Sequence, residues 1–171
     1  LNQLKPGMDE ELLKHYTHLV SVDSYIPIVS LIKGDQAQCA KFTQTTKGWL
    51  NAGKKTLGIA YSMATLYIHE IKQIFDSIFK ETDLLIAPIF PTTTFSKNSP
   101  PLQHLNSLCG PWAFTIPALL SGNPSLTFTA GYTEEGYPIS VQLIANQYKE
   151  SLLLQIANFL ETTYSPSLSP P

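Results

Sequence analysis

Apolar positions along the chain change period several times, and each change predicts a new element. Residues 9–20 put Leu12, Leu13, Tyr16, Leu19 and Val20 at helical spacing behind an acidic start, the layout of a first helix. Pro27 is expected to interrupt the pattern beyond it, because a proline inside a helix removes a donor and clashes with the preceding turn. Asp35 has the side chain of a helix cap and opens a second predicted helix running to about Leu50, on a weak stripe of Ala37, Ala40, Thr43 and Gly48. The strongest periodicity lies in residues 60–79, where Tyr67, Ile71, Ile74, Phe75, Ile78 and Phe79 recur three and four apart and predict a long helix packed on a core. Residues 83–88 are then apolar at nearly every position, as in a short strand buried on both faces.

The second half changes register again. Residues 88–101 are rich in Pro, Ser and Thr and read as an extended loop leaving the buried strand, the place where α/β proteins tend to build sites. A short apolar helical turn after Thr115 breaks at Gly122 and Pro124. Residues 125–130 and 139–144, rich in β-branched and apolar side chains, flank the turn-like run 132–136 and predict a hairpin. A closing helix over residues 149–162 carries Leu152, Leu153, Ile156 and Leu160 on one face, and residues 164–171 read as a disordered tail. The expected architecture is α/β: part of a mixed β-sheet covered by helices, forming one domain over residues 1–163.

Composition narrows the function classes. The 171 residues are 43% hydrophobic, enough for one domain with a real core. A net charge of -2 argues against a nucleic-acid footprint. All 11 basic residues are Lys, so the chain lacks the planar guanidinium fork that best grips carboxylates and phosphates. Cys39 and Cys109 have no Cys-x-x-Cys spacing and are too few to staple a domain of this size, so both read as reduced, buried thiols. No stretch approaches the roughly 20 apolar residues of a membrane span, and no signal peptide opens the chain, which makes a cytoplasmic setting, with no membrane or nucleic-acid partner, the expectation. The start at Leu1, without Met, suggests the downstream part of something longer.

Candidate chemistry is sparse. His15 and His18, three apart on the first helix, have the spacing to share a metal, but a third ligand is missing nearby and a solvated polar face is the simpler reading. His104 and Cys109 form a base and nucleophile only on paper, in a loop with no orienting third group. His69 and Asp76, seven apart on the long helix, share a face that reads as exposed. Glu134 and Glu135 read as a charged turn, Lys54 and Lys55 as a solvated loop. No cofactor and no metal are expected.

The order of Thr115, Pro117, Gly122, Pro124, Gly131, Gly136, Pro138, Gln142 and Glu150 resembles the C-terminal block of the amidase signature family, serine hydrolases that cleave amide bonds. The resemblance extends back through residues 83–88 and the Pro- and Thr-rich loop to cover roughly residues 60–161. It implies several strands of a central mixed sheet and one wall of a substrate pocket, with Ile89, Phe90, Pro91, Trp112 and Phe114 as the wall. The bland alternative for these side chains is ordinary core. The family's catalytic Ser, its relay Ser and its Lys base sit in a Gly-Gly-Ser-Ser-Gly-like segment upstream of this block, and here the 171 residues contain no Gly-Gly and no Ser-Ser pair. The implied partners are therefore an upstream half of the amidase, in the same or a separate chain, and a small-molecule amide substrate; no catalytic residue is assigned to this chain.

Several positions depart from the family pattern. Trp112 stands where glutamine-using members carry an Asp, and the Arg that would hold a substrate carboxylate is absent, which points towards an apolar or aromatic amide. Leu119 replaces an Asn, Thr129 a Pro and Ser140 a Gly. These departures leave open an alternative, a catalytically inactive amidase-like binding module.

Overall fold

The computed structural model describes residues 8–33, 35–90 and 113–164. They form six helices and three strands in the order α1 (Met8–Ile32), α2 (Gln36–Ala40), α3 (Gln44–Lys55), α4 (Gly58–Ile78), β1 (Leu84–Pro88), α5 (Thr115–Ser121), β2 (Ser125–Tyr132), β3 (Pro138–Ala145) and α6 (Glu150–Tyr164). The chain divides into two compact units, Leu1–His69 and Glu70–Pro171, with the division inside α4.

In the first unit, α1 continues through Pro27, where the sequence pattern predicts an interruption. Proline inside a helix costs about 3 kcal/mol. Tertiary contacts offset that cost: α1 packs along α3, and Tyr61 of α4 donates its hydroxyl proton to Asp23 at 2.8 Å, one turn before the proline. The approach of α1 to α3 depends on Gly53. A Cβ there would lie 2.7 Å from the Ser21 carbonyl carbon and 2.8 Å from Tyr25 Cβ, so only glycine admits the crossing.

The single helix expected from Asp35 to Leu50 is two helices. Asp35 does cap the first, accepting from the Ala37 and Gln38 amides. Thr43 then takes extended dihedrals and accepts from the Thr46 amide at 3.2 Å, which stops one helix and starts the next. Lys54 and Lys55, expected in a loop, form the last turn of α3, where cations complement the carbonyl end of a helix. Cys39 is a free thiol, half-buried rather than buried, and Cys109 lies outside the described residues.

In the second unit the strands form an antiparallel sheet of order β1-β3-β2. Leu84 pairs with Ala145 and Ile86 with Leu143; Leu126 pairs with Leu143 from the other side. Alternation then sends Leu84, Leu126, Leu143 and Ala145 to one face, where Leu153, Ile156 and Leu160 of α6 close a core. The hairpin carries an irregularity between Thr129 and Gly131 and turns through Gly136 at φ 82°. The expectation that residues 83–88 are buried on both faces fails: only Ala87 is buried, Leu84 and Leu85 are half-buried, and Ile86 is 63% exposed although it shares the face of Leu143. Among the described residues β1 is an edge strand, and α6 covers β2 and β3 rather than its outer half. Of the stripe expected along residues 60–79, Tyr67, Ile71 and Phe75 are buried on one face of α4, with Ala64 before them, while Ile74, Ile78 and Phe79 are half-buried. No helix among the described residues is long and apolar enough to cross a membrane.

Candidate functional site

Gln142 is the polar centre of the second unit. It lies in β3 between apolar neighbours, with 4% of its surface exposed, and a buried amide of that kind needs partners. Its Nε2 donates to the Phe114 carbonyl at 2.6 Å and lies 3.4 Å from the Pro88 carbonyl. One side chain thus gathers the end of β1, where the Pro-rich segment leaves the sheet, and the residue before α5, where that segment returns. Ile89 and Phe90 directly follow the first carbonyl, Phe114 carries the second, and all three are half-buried. Pro91 and Trp112 lie outside the described residues, as do His104 and Cys109.

A second set of bonds fixes the turn after α5. Gly122 adopts φ 73°, a left-handed cap that suits glycine, and its amide returns to the Leu119 carbonyl. Ser121 donates to the Ala118 carbonyl at 2.8 Å and accepts from the Asn123 amide at 3.3 Å. Asn123 in turn donates to the Ala145 carbonyl at 3.0 Å, tying the turn to the end of β3. The Ser-Gly-Asn-Pro run identifies a turn in the sequence. The partners of Gln142 and Asn123 lie 28, 54 and 22 residues away, beyond what local pattern reveals.

The histidine pair of the first unit is not a solvated face. His15 is buried and stacks on Tyr67 with ring centroids 4.6 Å apart, while His18 meets it edge-on at 6.5 Å. Glu11 lies 3.7 Å from His15 Nε2. Burial pushes the His18 pKa below its ordinary value, and the neighbouring His15 and Lys14 act in the same direction. Burial likewise raises the Tyr16 hydroxyl, and the hydrogen bond to Asp23 raises that of Tyr61. Among the described residues no group of three or more His, Cys, Asp and Glu side chains is placed to hold a metal ion. His69 and Asp76 are exposed, as their spacing predicts.

Fold and site together define an α/β protein in which Gln142 of a helix-covered sheet holds the Pro88 and Phe114 carbonyls together. The chain belongs to the amidase family, whose model matches residues 21–154. It is 41% identical over 105 residues to the A subunit of the glutamyl-tRNA(Gln) amidotransferase of Trichormus variabilis (strain ATCC 29413 / PCC 7937), covering 59% of this chain and 21% of that protein. With the corresponding protein of Picosynechococcus sp. (strain ATCC 27264 / PCC 7002 / PR-6) it shares 32% identity over 160 residues, 88% of this chain and 31% of the other. The structure of a bacterial aryl acylamidase of the amidase signature family superposes with a TM-score of 0.73 at 17% identity, over 92% of this chain and 34% of that one. The chain therefore spans about a fifth to a third of the length of the curated relatives and the solved structure it matches.

Proposed function

We propose that this chain is the sheet-and-pocket-wall portion of an amidase that hydrolyses carbon-nitrogen amide bonds, with the serine nucleophile, relay serine and lysine base supplied by the remaining portion. The observation that carries this reading is Gln142. A residue of the family's terminal strand motif holds the Pro88 and Phe114 carbonyls on one amide nitrogen, and so sets the position of the candidate wall residues Ile89, Phe90 and Phe114. Pro91 and Trp112 belong to the same wall on sequence grounds. An apolar wall in a chain with no Arg favours an aromatic or aliphatic amide over one anchored by a carboxylate.

In the reaction, the wall would orient the acyl or amine portion of the substrate against the nucleophile while excluding water from the apolar side. The developing oxyanion would be met by glycine amides of the other portion. The chain alone is expected to give no hydrolysis on a panel of anilides, aliphatic amides and glutamine; clear turnover by the purified 171 residues would overturn the assignment of the catalytic groups elsewhere. The substitutions at Trp112, Leu119 and Thr129 support a second reading, an inactive amidase-like binding module, which predicts amide binding without hydrolysis even when the remaining portion is supplied.

A further inference from the structure

From Leu57 to Ile68 the chain carries no Asp, Glu, Lys or Arg. Residues 58–68 are the start of α4, so its first three turns offer no charged side chain to water on any face. One face is accounted for, since Ala64 and Tyr67 are buried within the first unit. A flanking face is not. Ile59, Met63 and Leu66 succeed one another at i, i+4 and i+7 and are 70%, 56% and 65% exposed. Leu57, just before the helix, is exposed as well. A surface helix usually carries charges on its outer side, whereas here only the uncharged Ser62 and Thr65 break the exposed apolar run. The second half of α4 follows the surface rule, with Glu70, Lys72 and Asp76 interspersed among its apolar positions.

We infer that the Ile59-Met63-Leu66 face of α4 is an internal packing surface, covered in the complete protein by the portion of the amidase domain that this chain lacks. The inference rests on the reading proposed above. What selects that occupant is the coverage: a relative that aligns with 88% of this chain, α4 included, is about three times its length, so the same helix sits in it within a larger body. A second copy of the chain and a solvent-exposed face are the competing outcomes.

The test is thiol accessibility in two proteins. One is the 171-residue chain; the other is the Picosynechococcus protein in which the 160 matched residues are replaced by those of this chain. Both carry Cys39→Ala and Cys109→Ala, with either Met63→Cys or, as a control at an exposed cationic position, Lys54→Cys. The Met63→Cys thiol is expected to react freely in the chain alone and at least about 100-fold more slowly in the chimera, as for a site reached only by local opening. The Lys54→Cys thiol is expected to react at similar rates in both. A chimera that melts cooperatively yet leaves the Met63→Cys thiol as reactive as in the free chain overturns this inference and leaves the proposed function standing. A chimera that does not fold, where the intact relative does, overturns the proposed function first and this inference with it. Protection in the chain alone that disappears on dilution assigns the face to a second copy, again overturning the inference.

Discussion

Gln142→Met is the most informative single substitution in the second unit. Methionine nearly preserves volume and length but removes both donors, so the Phe114 carbonyl loses its 2.6 Å partner and the Pro88 carbonyl its weaker one at 3.4 Å. The net value of a neutral hydrogen bond is about 1 kcal/mol, and leaving a buried acceptor dry adds about 1 to 3 kcal/mol. The better transfer of a thioether into an apolar site recovers part of this, leaving an expected loss of about 2 kcal/mol. With a urea dependence of about 1.5 kcal/mol/M, the midpoint followed by far-UV circular dichroism should fall by about 1.3 M. Amide exchange should accelerate most at residues 114–118, where the return of the segment is released. Gln147→Met is the matched control: its Nε2 reaches Ser121 at only 3.5 Å from a half-buried position, and its loss should be below about 0.5 kcal/mol. Equal midpoints for the two variants, or a Gln142→Met shift under about 0.3 M, would refute the assignment of Gln142 as the clamp.

Other consequences arise from individual contacts. Gly53→Ala drives a Cβ into the backbone of α1 at Ser21 and should destabilise the first unit by about 1 to 3 kcal/mol, the range for overpacking, read as faster exchange in α1 and α3 with α6 unaffected. Leu153→Ala empties the core beneath the sheet, where Leu153 is 3% exposed, and should cost about 2 to 4 kcal/mol in denaturant titrations of the second unit. The lowered pKa of His18 means that the unfolded chain takes up a proton before the folded one. That part of the stability is full above the ordinary histidine value near 6.5 and declines as pH falls through it towards the folded value. The difference in midpoint between pH 7.5 and pH 5.5 should therefore be smaller in His18→Gln than in the wild type; equal differences would show that His18 does not contribute.

The elements with strong period were legible in the sequence. Tyr67, Ile71 and Phe75 at helical spacing give α4, and the alternating runs either side of Gly136 give the hairpin, because in both cases the pattern itself specifies the burial. Where the fold departs from the pattern, a non-local or competing interaction decides. Pro27 stays inside α1, which packs along α3 and is held by Tyr61 of α4 one turn before the proline. Thr43 divides a helix because its hydroxyl offers the Thr46 amide a cap, a choice that helix periodicity does not register. Residues 84–88 have the composition of a central strand, but in the described chain they form an edge with Ile86 open. That mismatch between composition and exposure is the same in kind as the one on α4. The candidate wall was legible only through the family resemblance: Ile89, Phe90 and Phe114 carry no signal that separates a pocket from a core. The clamp had a weak signal, a single Gln inside the apolar run of β3.

Hydrolysis by the chimera tests the central claim most directly. With an amide panel of glutamine, asparagine, aliphatic amides and anilides, the 171-residue chain alone should be inactive. The Picosynechococcus protein carrying this chain in place of its matched 160 residues should hydrolyse amides under conditions where the intact relative does, with a preference shifted towards anilides. Turnover by the isolated chain, or a folded chimera that binds amides and never cleaves them, would contradict the account.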